Sequence, residues 1–339
     1  MGDILHALPA VTALRQAHPG WVIDWVVEPR WRALLTAGST TLRGPGQPLV
    51  DHLHFAASKD WRKAPFSHKT LHEIKALRRA MQDCQYDAVI DLQGAIRSAV
   101  VARMAGCRRV IGEAEPRERV ARWLFTEMVA TGGAHVIEQD VELASTIAGD
   151  SLKPVQPWLP VDPAAEIWAD ALLLPVAAPS VLINPGAGWG AKRWPVERYA
   201  AVAAGLIARG FRVLVNAGPG EEPLARFISQ DTNGAAHPLT CTLGQLIALT
   251  RRIRLAVAGD TGPLHLACAL GCPVVGIYGP TDPSRNGPFG TRFKVLRSPE
   301  SRRDHTRHSA PEAGMMTITP DDVLRAAGEL LQEEQEAAR

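Results

Sequence analysis

Long apolar runs are missing from this sequence of 339 residues. No uninterrupted apolar stretch approaches the ~20 residues that a membrane-spanning helix needs, and Asp3, His6 and Pro9 interrupt the start, where a secretion signal carries its apolar segment. Cysteine is scarce, five in all, and its spacing offers neither a disulfide framework nor a zinc-ligand set. Cys84, Cys107 and Cys241 are scattered, while Cys268 and Cys272 fall on an apolar helical pattern and its end; both read as small buried side chains in a reducing, cytoplasmic setting. An excess of one charge is also lacking: the formal net charge is +2, and the arginines are dispersed, which excludes bulk nucleic-acid binding. Absent too are a G-x-G-x-x-G after a first strand, a Walker lysine motif and a D-x-D metal pair. Dehydrogenase and kinase readings therefore have no support, and no metal is expected.

What remains is 46% apolar and 21% charged, the balance of a globular protein long enough for two domains. The chain opens on Met1-Gly2-Asp3, then an amphipathic pattern (Ile4, Leu5, Leu8, Val11, Leu14) that ends near Gly20. Strand patterns at 21–27, 49–55, 86–91 and 109–112 alternate with helical ones at 31–35, 71–82 and 96–105, and a helix follows at 135–148. A connection carrying Pro154, Pro157, Pro160 and Pro163 then separates two halves. Strand patterns return at 181–183, 211–215, 255–257 and 273–278, with helical ones at 195–208, 224–230, 243–251 and 264–270. Such alternation predicts doubly wound parallel sheets, one domain over 1–160 and one over 161–320, with a charged helix at 321–339 expected to pack back across both.

Three turns in the second half follow strands at their carboxyl ends, where open parallel sheets bind ligands. They are Asn184-Pro185-Gly186-Ala187-Gly188, Ala217-Gly218-Pro219-Gly220-Glu221-Glu222 and Gly259-Asp260-Thr261-Gly262. Lys192 and Arg193 can bring positive charge to a diphosphate, and Glu221 or Glu222 can accept hydrogen bonds from ribose hydroxyls. The Thr261 hydroxyl and the N–H groups of Thr261 and Gly262 suit a phosphate at a helix start, with Asp260 and His265 bracketing it. In the first half, Asp3 is either the N-cap of the opening helix or a general base, and His6 is expected to face a neighbouring helix. Asp91-Leu92-Gln93-Gly94 is another strand end, followed by Arg97 and Ser98. Lys59, Trp61, Arg62, Lys63, His68 and Lys69 form a basic, aromatic loop that is either a solvated face or a site for an anionic acceptor. A basic cluster of Arg297, Arg302, Arg303, His305, Arg307 and His308 reads as a surface loop.

Three stretches together resemble the lipopolysaccharide heptosyltransferases, glycosyltransferase family nine: residues 1–10 (MGDILHALPA), 259–265 (GDTGPLH) and 278–283 (YGPTDP). Residues 91–98 and 192–195 are similar to family motifs as well, and 25–28 with 61–64 look most like the heptosyltransferase I branch. The resemblance spans nearly the whole chain. It implies a GT-B architecture, two Rossmann-like domains facing a cleft, with Asp3 as general base. Lys192, Glu221 or Glu222, Asp260, Thr261, Gly262 and His265 would hold ADP-heptose, a substrate rather than a cofactor. Arg62, Lys63, Gln93 and Arg97 would meet the acceptor, the Kdo of lipid A–Kdo. The implied reaction is an inverting, metal-independent transfer by an enzyme peripheral to the cytoplasmic face of the inner membrane. A heptosyltransferase II-like member with another donor or acceptor, or a catalytically impaired nucleotide-sugar binder, are the other readings. The family carries a short strand before the Gly-Asp turn with which this chain begins, so the first sheet is expected to lack a central strand, leaving Asp3 on a frayed end.

Overall fold

Parallel pairing dominates both halves, as the alternating patterns predict. The structure, a computed structural model, describes residues 1–38, 40, 42–174, 178–301 and 312–337, and it divides into units made of Asp3–Val161 and Asp162–Arg339. The first unit opens on α1 (Gly2–Ala17), followed by β1 (Asp24–Val27), β2 (His52–Phe55), α2 (Ser58–Lys63) and α3 (His68–Asp83). It continues with β3 (Val89–Asp91), α4 (Ile96–Met104), β4 (Val110–Glu113), β5 (Glu127–Val129) and α5 (Val136–Ala148). Its described strands form two sheets, β1 with β2 and β3-β4-β5, parallel throughout.

The expected amphipathic character of α1 is corrected: every residue from Leu5 to Arg15 is buried. Spaced leucines suggested one apolar face, but the other faces carry alanines, Thr12 and His6, small or bonded enough to bury. Arg15 is the extreme case, with Asp51 at 2.6 Å and the carbonyls of Leu49 and Trp21 accepting its remaining N–H groups. Ala10 and Leu14 pack on Val141 and Ala144 of α5, and His6 meets the ring of His135, the α5 N-cap, edge-on at 5.9 Å.

The second unit contains α6 (Pro163–Leu173), β6 (Ser180–Asn184), α7 (Val196–Ala208), β7 (Arg212–Asn216), α8 (Glu222–Asp231), β8 (His237–Leu239), α9 (Leu243–Thr250) and β9 (Leu255–Gly259). After these come α10 (Gly262–Ala269), β10 (Val274–Tyr278), α11 (Pro283–Asn286), β11 (Phe293–Arg297) and α12 (Pro320–Ala337). Its six described strands lie in the order β11-β10-β9-β6-β7-β8, all parallel. Fully buried Val181, Ile183, Val213, Val215, Val257 and Ile277 form the sheet's share of a core that α7 and α12 cover. The helix expected over 321–339 packs on α7 and on β9, β10 and β11 of this same unit. Because β6 is the first strand and sits between β7 and β9, the strand order reverses at the β6–β9 seam, the place where open parallel sheets bind ligands above their carboxyl ends. Among the described residues no helix is long and apolar enough to cross a membrane.

Candidate functional site

Both strands at that seam end in the turns singled out above. Past β6, a short 3-10 turn (Gly190–Lys192) carries Lys192, and past β9 come Asp260 and the N-terminus of α10. The two strand ends converge: Lys192 Nζ lies 2.5 Å from Asp260 Oδ2. The Thr281 hydroxyl donates to that same oxygen at 2.7 Å, and His265 Nε2 sits 3.0 Å from Oδ1. Asp260 is only 7% exposed. Burial alone would raise its pKa, yet His265 and then Lys192 hold its carboxyl far below the ordinary carboxylate range. With both oxygens occupied, Asp260 serves to aim Lys192 and His265. Lys192 keeps further N–H donors for an anion, and its ammonium stands 5.1 Å from the centre of the Trp189 ring.

Thr261 is the N-cap of α10, but its hydroxyl donates to the Gly259 carbonyl at 3.2 Å. The backbone N–H groups of Thr261 and Gly262 stand at a helix start whose first donors have no intrahelical partner, a place that suits an anion. Glu221 and Glu222 separate clearly. Glu221 Oε2 accepts from the Gly218 N–H at 3.2 Å and rests against Gly186 past the end of β6: a Cβ there would lie 1.9 Å from that oxygen. Gly186 is thus glycine because the Glu221 carboxylate fills the side-chain position. Glu222 instead turns back on its own N–H and that of Gly220, which lower its pKa.

In the first unit, Asp3 is not an N-cap; Met1 holds that position, and its carbonyl accepts from the N–H groups of Ile4 and Leu5. Asp3 lies in the first turn of α1, where the helix dipole favours a carboxylate, with its side chain 49% exposed. Gln93 Nε2 donates to Asp3 Oδ2 at 2.6 Å, and Arg117 approaches the same oxygen at 3.6 Å. Gln93 is placed by buried Asp91, which accepts from the N–H groups of Gln93 and Gly94 and from the Ser98 hydroxyl. Gly94 has φ +63°, and a Cβ there would come within 3.0 Å of the Arg117 nitrogen. Its bare backbone therefore lets the Arg117 segment close in. Burial pushes the carboxyls of Asp91 and Asp140 upward, well above the ordinary range for Asp140, where the charges of Glu113, Asp3 and Asp91 add to the effect. Asp3 is the one of these three acids that solvent reaches.

Arg62 and Lys63 are exposed on α2, Lys63 pairing with Asp60 at 2.9 Å. No described hydrogen bond or ion pair joins them, or the exposed Arg97 of α4, to Asp3. Sequence reasoning missed Arg117, Trp189 and the site role of Thr281. Arg117 and Trp189 lie in irregular segments with no periodicity to mark them, whereas Thr281 stood inside a recognised motif and only its contact with Asp260 was invisible. In the basic cluster, Arg297 closes β11 and bonds the Gly279 and Ser301 carbonyls; Arg302, Arg303, His305, Arg307 and His308 lie outside the described residues.

Comparison with known proteins gives a consistent result. Residues 74–315 match glycosyltransferase family 9 (heptosyltransferase). Lipopolysaccharide heptosyltransferase 1 of Escherichia coli K12 is 32% identical over 312 residues, covering 88% of this chain and 91% of that protein. Among solved structures, E. coli heptosyltransferase WaaC with ADP superposes with a TM-score of 0.79 at 28% identity, covering 97% of each chain. The same enzyme with ADP-2-deoxy-2-fluoro heptose gives 0.77, also at 28%, covering 97% of this chain and 96% of that one.

Proposed function

Because the chain belongs to glycosyltransferase family 9 (heptosyltransferase) and is thereby a glycosyltransferase, we propose that it moves a heptose from ADP-heptose to the Kdo of a lipid A–Kdo acceptor. The observation that carries this reading is the Lys192–Asp260–His265 cluster at the β6–β9 seam, in a chain similar to an enzyme solved with ADP and with an ADP-heptose analogue. Asp3 takes the proton of an acceptor hydroxyl; that oxygen attacks the anomeric carbon from the face opposite ADP, so the C–O bond to diphosphate breaks with inversion. Negative charge growing on the leaving phosphate meets Lys192 and the N–H groups at the start of α10. Those groups supply the positive charge that a divalent ion would otherwise bring, so the transfer step needs none. Arg62, Lys63, Arg97 and Gln93 are the acceptor's polar partners in this reading. Exposed Val120 and Trp123 (75%), with Arg122 over the indole, support a position at the anionic cytoplasmic face of the inner membrane.

The test is transfer by the full chain with ADP-heptose and lipid A–Kdo in the presence of EDTA. Expected are ADP release, an acceptor heavier by one heptose, an inverted anomeric centre by NMR, and co-sedimentation of the enzyme with anionic vesicles. Turnover only on an acceptor already carrying heptose would move the chain to the heptosyltransferase II-like reading, and ADP binding without release would leave a binding protein.

For the ribose we choose Glu221, whose carboxylate lies at the end of β6, over Glu222. Glu221→Gln is expected to weaken ADP binding by about tenfold, or ~1.4 kcal/mol. Glu222→Gln should change it less than about twofold. Calorimetric titration of both variants decides the point, and the reverse order would reassign the ribose to Glu222.

A further inference from the structure

The ends of the first unit's strands remote from Asp91 and Gln93 gather a second set of reactive side chains, which the transfer reading leaves unused. Asp24 opens β1, His52 pairs with it in register on β2, His54 follows two residues on, and Cys84 with Tyr86 lies between α3 and β3. One ligating atom each from Asp24, His54 and Cys84 lies within 4.8 Å of the other two. Asp24 is 3% exposed. Its Oδ2 accepts from the Tyr86 hydroxyl at 2.6 Å, and the Tyr86 oxygen in turn lies 2.7 Å from His54 Nε2. His52 Nδ1 is 3.0 Å from Asp24 Oδ1. A carboxylate, an imidazole and a thiol thus converge from three separate stretches of chain, with the His52 imidazole on the other carboxylate oxygen.

We propose that Asp24, His54 and Cys84, with solvent at the fourth position, bind one zinc-class divalent ion that ties β1, β2 and the segment before β3 together. The mixed oxygen, nitrogen and sulfur set points to this class. Magnesium and calcium take oxygen ligands, and copper(I) favours sulfur alone. Tetrahedral zinc with bonds of about 2.0–2.3 Å sets neighbouring ligand atoms roughly 3.3–3.7 Å apart. The three side chains therefore close by about an ångström, which a turn of the exposed Cys84 and a shift of His54 supply. Cys84 binds as thiolate and gives its proton to solvent, while His54 moves its N–H to Nδ1. Tyr86 keeps its bond to Asp24 and becomes the group that orients that carboxylate.

Cobalt(II) titration of the full chain, stripped of metal by chelator, tests this. One equivalent is expected to bind with a thiolate-to-cobalt charge-transfer band, zinc should displace it, and zinc should raise the Tm. Cys84→Ser, an exposed and structurally mild change, should abolish the band and the Tm rise while ADP binding stays unchanged. Asp24→Asn should weaken binding by more than about tenfold. Absence of the band in the wild type would reduce the cluster to a hydrogen-bond network. A band surviving in Cys84→Ser would place the ion on Cys107 or Cys241 and overturn the assignment equally.

Discussion

Asp3→Ala is expected to lower transfer turnover by about 10²–10⁴-fold, the range that a positioned general base contributes. ADP affinity should stay within about twofold, because Asp3 belongs to the first unit while the Lys192–Asp260–His265 cluster proposed to hold the nucleotide lies within the second. Three features single out Asp3 among the acids of its unit. It is half-exposed, so a substrate hydroxyl can reach it. Gln93 Nε2 holds one oxygen at 2.6 Å, leaving the other to accept a proton. Asp91 and Asp140 are buried, so a substrate hydroxyl cannot reach either of them. Asp3→Asn sharpens the test, since it keeps the shape and a partner for Gln93 but cannot take a proton. Single-turnover rates with saturating donor report the chemical step. A normal rate in either variant would remove Asp3 from the reaction.

The legible parts of this chain were those where local chemistry repeats a global pattern. Every β-branched run of the second unit became a central strand, because a strand buried on both faces must be continuously apolar. Edge strands were missed for the converse reason: β8 contains Pro238 and β11 begins on an exposed Phe293, both tolerable only where one side is unpaired. The proline-rich connection hid α6, whose first residue, Pro163, is a helix starter once Asp162 caps it. At the site, the turn after β9 was readable from Gly-Asp-Thr-Gly alone. The different placing of Glu221 and Glu222 was not, because it depends on the missing Cβ of Gly186, 35 residues before Glu221, and only the folded chain brings those positions together. Arg117 shows the same limit: Gly94 marks a turn in sequence, but what approaches it does not appear there.

Lys192→Ala is expected to reduce kcat/KM by about 10²–10³-fold, the scale on which losing one preorganised charge partner of a leaving group is felt. How that loss divides distinguishes two roles for the ammonium. If Lys192 only holds ground-state diphosphate, KM rises and kcat stands; if it meets charge that develops as ADP departs, kcat falls as well. The position of Lys192, 2.5 Å from Asp260 and fixed before substrate arrives, favours the second outcome, because a preset charge needs no reorganisation at the moment of bond breaking. Stability gives an independent readout. The folded-state pKa of Asp260 lies below its unfolded value, so its ionised form stabilises the fold above the unfolded value of about 4, and that contribution fades as pH falls through the folded one. Removing Lys192 leaves His265 and Thr281 as partners, lifts the folded-state value and narrows this window from below. Lys192→Ala should therefore lose stability most at neutral pH and converge with the wild type in acid, as measured by urea unfolding at several pH values. Parallel curves across that range would show that the ammonium and Asp260 are not coupled in solution, and the preset-charge account of catalysis would fall with them.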